Sequence, residues 1–478
     1  MAETIRALAD RVAGRVVGDA DVVINDVVHD HREGGSGAMF VARRGLTVDG
    51  HDFVAEAATT CAGVGVEHEV GEIGVPQLVV DDTRHALGQL ASAVHGDPFE
   101  TLRAVGVTGT NGKTMVTHLL GSIVAHSGRT SGVAGTLGWS IGSDHFPLAR
   151  TSPEASDLHR MAAAMVRSGV DVAAFEVSSH ALSLDRVSGA TFAVAAFTNL
   201  SRDHLDFHMD METYFEAKAS LFDSARSAHA VIWTDDPWGE RLAGSASIPV
   251  TAVGKSGDVS VDVVKATPDG TSFDLNVDGG RSRVDLPLVG TFNVSNAAVA
   301  AACALNLDIP LDAVIAGLEA APAVPGRFEN IAVSKPFRVV VDYAHTPDGI
   351  EAAVAAAREL TVSRVLVVTG AGGDRDPAKR PEMGKAASAG DIVFVTSDNP
   401  RSEDPSDIAQ QIMKGVGDHP AVVVEIDRRA AIRLALAEAT SGDLVLILGK
   451  GHEQGQQFAD RTDPFSDAAV IREEAAAL

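Results

Sequence analysis

The sequence predicts an α/β fold in three domains, and three observations carry that prediction. The chain has 478 residues, and at about 150 residues per domain that length calls for roughly three cores. Continuous apolar runs such as AVGVTG, VAAFEVS and FAVAAFTNL alternate with helix-length segments, the signature of a parallel sheet buried on both faces. A second series of the same kind begins near Phe337, after a stretch of different periodicity.

Residues 1–98 read as a small N-terminal α/β domain. Short apolar runs (VVINDVV, AMFVA, PQLVV) alternate with a helical segment after Asp49-Gly50-His51, and the helix RHALGQLASAVHG leads to a break at Asp97-Pro98. Residues 99–330 form the central domain, with HAVIWTDD as a further parallel strand. Within it, residues 259–289 alternate with period two around DG and GG turns, which predicts an antiparallel meander. NVSNAAVAAACALNL and LDAVIAGLEAAP then read as helices, the first of them buried. Residues 331–478 carry the strands FRVVVDYA, SRVLVVTG, DIVFVTS, AVVVEID and DLVLILG between alanine-rich helices, a Rossmann-like doubly wound sheet. Ligands of such sheets gather at the carboxyl ends of the strands, where GAGGDRD, SDNPR and GKGHE stand.

Composition excludes several classes of function. With 45% hydrophobic and 22% charged residues the chain is globular rather than disordered. Its formal net charge of −26 makes it a poor clamp for nucleic acid or an anionic membrane. Any phosphate must therefore be held locally, by backbone amides, a few cations and metal ions. Two cysteines, Cys61 and Cys303, build no metal site and read as small buried thiols. The N-terminus MAETIRALADRVAG lacks an apolar signal core, and no run of about 18 apolar residues is present to span a membrane. A soluble cytoplasmic monomer is expected. Lysine is scarce, nine against thirty arginines, so each retained lysine merits separate reading; Lys113, Lys218, Lys379 and Lys450 all fall within or beside motifs.

The strongest local signal is Gly109-Thr110-Asn111-Gly112-Lys113-Thr114, between the strand AVGVT and the helix MVTHLLGSIVAHSG. Glycines let backbone N–H groups turn inward around phosphate oxygens, and the helix N-terminus adds partial positive charge. Lys113 can then reach the terminal phosphates, and the Thr114 hydroxyl can ligate Mg²⁺. The strict G-x4-G-K-[ST] spacing is not met, because Gly106 lies one residue too far upstream. The context of strand, loop and helix favours ATP binding over a plain glycine-rich turn. Mg²⁺ needs further oxygen ligands, and Glu176, ending the strand VAAFE, stands where one is wanted; a strand-end Glu is equally often merely solvated. His204 and His208 have i,i+4 spacing, but no Glu lies in the H-E-x-x-H position and no cysteine completes a site, so zinc is not expected.

Together the motifs resemble the Mur ligase superfamily, which joins amino acids to carboxylates using ATP. The resemblance covers essentially the whole chain. It rests on TGTNGKT (108–114), EVSSHAL (176–182), FTNLSRDHLDFH (197–208), YFEAKASLF (214–222) and GTFNVSNAAVA (290–300), continuing through PGRFE (325–329), VDYAHTPD (341–348), GGDRD (372–376), DNPR (398–401) and GKGHE (449–453). Each motif is weak alone; their order makes the match specific. Within the superfamily the closest pattern is that of the members adding diaminopimelate to a peptidoglycan precursor.

The resemblance implies an N-terminal domain gripping a uridine nucleotide, a central ATPase domain and a C-terminal domain presenting the amino acid. Lys218 matches a carbamylated lysine: a neutral amine adds CO₂, and the carbamate becomes an anionic oxygen ligand. Thr114 and Glu176 would hold one Mg²⁺, with His204 and carbamylated Lys218 near a second, although imidazole is an unusual Mg²⁺ ligand. Asn293, Asn296, Arg327, Asp342 and His345 match ATP contacts. His31 replaces the family's usual serine in Asp-Ser-Arg, beside the uracil loop Leu46, Thr47 and Val48. Thr151, Ser152, Ser178 and Arg186 match contacts to the muramoyl dipeptide. Asp398, Asn399, Pro400 and Arg401, with Arg375, Gly449 and Glu453, match the diaminopimelate site, where Arg401 can grip the distal carboxylate that lysine lacks.

The activity implied is ATP-dependent addition of meso-2,6-diaminopimelate to the D-glutamate of UDP-N-acetylmuramoyl-L-alanyl-D-glutamate through an acyl phosphate, in cytoplasmic peptidoglycan precursor synthesis. Another ligase of the superfamily, such as a folylpolyglutamate synthetase, is the competing enzyme reading; DNPR, EVSSHAL and the full N-terminal domain weigh against it. A non-catalytic scaffold that keeps the fold is the third reading, and the retention of Lys113, Glu176 and Lys218 weighs against that one.

Overall fold

The computed structural model describes residues 2–45, 48–267 and 269–478. Its three main sheets follow the three series of apolar runs. The N-terminal sheet has five strands in the order Arg15–Val17, Gln77–Val79, Gly63–Val66, Ala38–Val41 and Asp26–Val28, all parallel except the first pair. The helix Thr83–Val94 covers it, started by Asp82, whose carboxylate accepts from the Arg84 and His85 N–H groups. At the expected break Asp97 adopts a left-handed φ of 48°, and Pro98 opens a short helix, Pro98–Thr101.

The central sheet has eleven strands. Its middle is parallel, with Ser131–Gly135, Val172–Glu176, Arg103–Thr108, Val194–Phe197, Ala230–Trp233 and Val250–Val253 side by side. The predicted meander is Val259–Thr267, Gly270–Val277 and Gly280–Leu286, antiparallel as expected. It is not a separate layer: Val259 pairs in parallel with Val253, so the meander extends the same sheet. The opposite edge ends in an antiparallel ribbon, Gly138–Ile141 with Asp144–Phe146, whose short strands leave no clear alternation to read. The helix Thr291–Leu305 is buried nearly all round, as its run of alanine and valine predicts, and packs beside the helix Lys113–His126. Both cysteines are free and buried.

The C-terminal sheet runs Glu329–Asn330, Arg338–Asp342, Leu444–Leu448, Val365–Thr369, Ile392–Val395 and Val422–Val424, parallel after the first strand. The last long strand, Leu444–Leu448, thus inserts beside the first, which brings Gly449–Glu453 next to the ends of its neighbours. Apolar clusters on both faces, one around Ile350 and Met383 and the other around Ile432 and Ile471, confirm a doubly wound layer. Among the described residues no helix is long and apolar enough to cross a membrane.

Candidate active site

The segment after the strand Arg103–Thr108 turns through Gly109 and Gly112 at φ of 144° and 88°, conformations that favour glycine. A Cβ at Gly109 would overlap Thr198 Oγ1, and one at Gly112 would overlap Asn296 Oδ1, so the cradle closes only around bare backbone. The next parallel strand braces it. The Thr110 N–H donates to Asn199 O at 3.0 Å and the Asn111 N–H to Asn199 Oδ1 at 2.9 Å. Thr198 Oγ1 donates to Asn111 O at 2.6 Å. Lys113 lies across the loop, its ammonium donating to Gly109 O and Thr110 O, each at 2.9 Å. Burial pushes its pKa down, opposed by Glu176 and reinforced by Arg327.

A cavity of about 490 Å³ opens over this loop. Thr110, Asn111, Gly112, Lys113 and Thr114 form its floor, with Glu176, Ser178, Thr151 and His204 on one side. Asn293 and Asn296 contribute from the buried helix, and Arg327, Asp342 and His345 close it from the C-terminal sheet. The sequence-predicted nucleotide residues therefore converge, Gly109 standing just behind the lining. Arg327 spans both halves: its guanidinium donates to Thr114 Oγ1 at 2.9 Å and stacks 4.5 Å from the Tyr343 ring. Asp342 accepts from the Phe328 and Ala344 N–H groups at 2.6 and 2.8 Å. Burial raises its pKa against Arg327 and those two donors. Asn293 caps Val289 O at 2.8 Å and accepts from Asn296 at 3.4 Å.

Glu176 is buried, and Thr136 donates to its two oxygens through N–H and Oγ1, each at 2.9 Å. Lys218 is 1% exposed, does not line the cavity, and donates to Gly109 O at 2.8 Å, the same carbonyl that Lys113 uses. Burial and the neighbouring Lys113 charge push its pKa well below that of an ordinary lysine. His204 sits in a left-handed turn at φ 55° with Nε2 3.3 Å from Asp203 Oδ2. Burial lowers its pKa to about 3 despite that carboxylate.

Of the residues matched to the muramoyl dipeptide, Thr151 and Ser178 line the cavity beside Glu176, while Ser152 and Arg186 stand behind it. Thr151 Oγ1 lies 3.1 Å from Thr136 Oγ1, Ser152 Oγ donates to Glu176 O at 2.9 Å, and Ser178 caps the following helix. Arg186 Nε is 3.1 Å from Glu154 Oε1. His31 lies away from the cavity, stacked 4.5 Å from Phe53, and Val48 is exposed. Leu46 and Thr47 fall outside the described residues.

The matched amino acid residues form a second group that does not line the cavity. Asn399 donates to Glu453 Oε2 at 2.8 Å, and its Oδ1 accepts from Lys450 Nζ at 2.9 Å. Gly449, at φ 110°, leaves room for Asp398, and one Asp398 oxygen is buried without a hydrogen-bond partner. Arg401, also left-handed at φ 52°, donates to Gly373 O at 2.6 Å, and the Pro400 carbonyl packs over Gly373. The Arg375 guanidinium donates to Asp374 O at 2.8 Å. Burial, then the charge of Arg375, lowers the Arg401 pKa.

Sequence reading missed Asp203. It is 4% exposed, pairs with Lys379 Nζ at 3.0 Å and stands 3.7 Å from His345 Nε2. Burial would raise its pKa, yet His345, His204 and Lys379 hold it well below the usual carboxylate range. Its one sequence signal was its place inside NLSRDHLDFH; Lys379 was marked by the rarity of lysine, and Lys450 by that rarity and its place in GKGHE.

The phosphate cradle on the central sheet thus faces a second wall carried by the C-terminal sheet, with Arg327 joining the two, the arrangement of a nucleotide-binding cleft. Residues 107–304 match the Mur ligase middle domain and residues 326–451 match the Mur ligase, glutamate ligase domain. The chain belongs to the Mur ligase family. It is 41% identical over 466 residues, 95% of each chain, to UDP-N-acetylmuramoyl-L-alanyl-D-glutamate–2,6-diaminopimelate ligase of Bacillus licheniformis. It is 41% identical over 490 residues to the Streptomyces coelicolor ligase of the same name, covering 99% of this chain and 96% of that one. A solved structure of a ligase with that name superposes with a TM-score of 0.71 at 30% identity, covering 100% of this chain and 99% of the other.

The family implies Mg²⁺, and the donor set is suited to it. Thr114 Oγ1 and the Glu176 carboxylate are hard oxygen donors on one cavity, and Mg²⁺ completes its shell with waters and phosphate oxygens. No group of three or more His, Cys, Asp or Glu placed for a metal occurs among the described residues. His204, a neutral imidazole, is the weakest member of the predicted set.

Proposed function

We propose that the chain is an ATP-dependent amide ligase that adds meso-2,6-diaminopimelate to the D-glutamate side-chain carboxylate of UDP-N-acetylmuramoyl-L-alanyl-D-glutamate. The observation that carries the reading is the convergence of Lys113, Thr114 and Glu176 with Arg327, Asp342 and His345 on one cavity. The full-length relatives named for this activity support the substrates.

The acceptor carboxylate attacks the γ-phosphate, forming an acyl phosphate and releasing ADP. The diaminopimelate amine then attacks the acyl carbon, loses its proton, and phosphate leaves. Lys113 would exchange its loop carbonyls for phosphate oxygens and neutralise their charge in flight. Mg²⁺, held by Thr114 and Glu176, supplies further neutralisation when bound. Asn293, Asn296, Asp342 and His345 orient the nucleotide, and Arg327 ties it to the C-terminal sheet. We propose that Lys218 is carbamylated, since burial and the neighbouring Lys113 charge favour the uncharged form of its amine, the form that adds CO₂. The domain division is 1–98, 99–330 and 331–478, and the reaction belongs in the cytoplasm, with the chain acting as a monomer.

Arg401, Asn399 and Glu453 select the amino acid. A guanidinium kept for a distal carboxylate is left unpaired by lysine, which costs affinity. The test is phosphate release with ATP, Mg²⁺ and the acceptor, offering meso-diaminopimelate or L-lysine in parallel. Release with diaminopimelate alone is expected; equal release with lysine would remove the selector, and silence with both would refute the ligase reading. Arg401→Ala should raise the diaminopimelate KM while leaving the ATP KM within about twofold.

A further inference from the structure

The two segments matched to the amino acid site leave strands that are not neighbours. Asp398–Arg401 follows Ile392–Val395 and Gly449–Glu453 follows Leu444–Leu448, and the strand Val365–Thr369 lies between those two. Two strand spacings, roughly 10 Å, therefore separate the strands, and ladder hydrogen bonds do not link them directly. One side chain spans the gap. Arg428 donates through Nη2 to Leu448 O at 2.9 Å and through Nη1 to Ser397 O at 3.4 Å, the carbonyls just ahead of Gly449 and Asp398.

The same guanidinium is held from behind by the last helix, Asp467–Ala477. Arg428 Nε and Nη2 donate to the two carboxylate oxygens of Asp467 at 2.8 and 2.7 Å, and both side chains are fully buried. A forked contact of this kind fixes the plane of the guanidinium. Local structure does not ask for an arginine here: Arg428 is the first residue of the helix Arg428–Glu438, at the end where the helix dipole disfavours a cation. Stability does not ask for it either, because a buried ion pair adds little over well-packed apolar side chains of similar size. What apolar side chains cannot supply is the pair of carbonyl contacts. Burial works against the Arg428 charge, and Asp467, then Asp398 and Glu453, hold its pKa above the ordinary value, so the charge is felt within the amino acid site.

We infer that Arg428, aimed by Asp467, is a positioning residue for the incoming amino acid, fixing the spacing of the two segments so that Asn399, Arg401 and Glu453 meet one diaminopimelate together. The last helix of the chain thereby acts on amino acid affinity without reaching the ligand. This inference rests on the ligase reading above and gives a role to two residues outside every motif of the amino acid site.

The test is steady-state kinetics and thermal melting of the full-length double variant Arg428→Met/Asp467→Leu, varying each substrate in turn. Its melting temperature should stay within about 5 °C of the wild type, since an apolar pair fills the same space. The diaminopimelate KM should rise about tenfold or more, while the KM values for ATP and the muramoyl dipeptide stay within about twofold. A merely structural defect would move all three. Arg428→Lys keeps the charge but loses the fork, so its diaminopimelate KM should lie nearer the double variant than the wild type. Should the double variant not fold, Asp467→Asn decides: it keeps the shape and one acceptor oxygen, and it should raise the diaminopimelate KM alone, about threefold or more. An unchanged diaminopimelate KM in the folded variant, or an equal rise of all three, overturns the positioning role while the ligase reading stands. A wild type inactive with diaminopimelate overturns the diaminopimelate reading and this inference with it.

Discussion

Lys218 and Lys113 donate to one carbonyl oxygen, that of Gly109, which places two buried amines side by side. Burial and mutual repulsion favour the neutral amine at Lys218, the form that reacts with CO₂. Lys218→Ala should lose activity by on the order of a hundredfold or more. Added acetate or formate should restore part of it by returning a carboxylate, and full activity without additive would sink the carbamate. His159 is a second buried titratable group, remote from this chemistry. It is fully buried, its Nε2 lies 2.9 Å from Ser188 O, and burial lowers its pKa from 6.5 to about 4. Between those values the unfolded chain binds a proton that the folded chain refuses, so stability falls as pH falls from 6.5 towards 4. The slope from this group is about 1.4 kcal/mol per pH unit. Urea denaturation of His159→Gln at pH 7.5 and 5 should show a smaller drop than the wild type; an equal drop would mean the histidine is not the source.

The element proposed to hold the nucleotide is the turn from the strand Arg103–Thr108 into the helix Lys113–His126. Its loop was legible because glycine spacing, Lys113 and Thr114 are local signals. The partners that shape it were not, since Thr198 and Asn199 come from the next strand and Asn296 from a helix far along the chain. Gly112→Ala tests that packing: the new methyl meets Asn296 in a backbone conformation unfavourable to alanine. ATP affinity, read by calorimetry, should fall about tenfold or more while circular dichroism stays native. Undiminished affinity would show that the loop can relax. The meander was legible as antiparallel from its period of two, but its fusion to the parallel sheet was not, because one pairing, Val253 with Val259, makes the junction.

Across the whole molecule, the central and C-terminal sheets are tied by ion pairs at the rim of the cavity. Arg202 reaches Asp376 at 3.2 Å and Glu382 at 3.0 Å, beside the pair of Asp203 with Lys379. These contacts hold the cradle and the Arg327 wall together, and an acyl phosphate needs such closure to escape hydrolysis. Arg202→Ala should lower turnover about tenfold and increase the radius of gyration in solution scattering, with little change in melting temperature. Unchanged scattering and turnover would show that the rim pairs do not govern closure.

The amino acid sequence alone determined the three-part α/β organisation, the strand–loop–helix turn of the glycine-rich segment and the family. These are written in periodicity and in short motifs whose residues act on their neighbours. Tertiary structure alone decided which distant groups share charge: Asp203 with Lys379 and His345, Lys450 with Asn399 and Glu453, and three arginines around Glu154. The reason is physical. Burial strengthens interactions between charges and makes the partners of each one decisive, and those partners meet only where separate strands and helices converge.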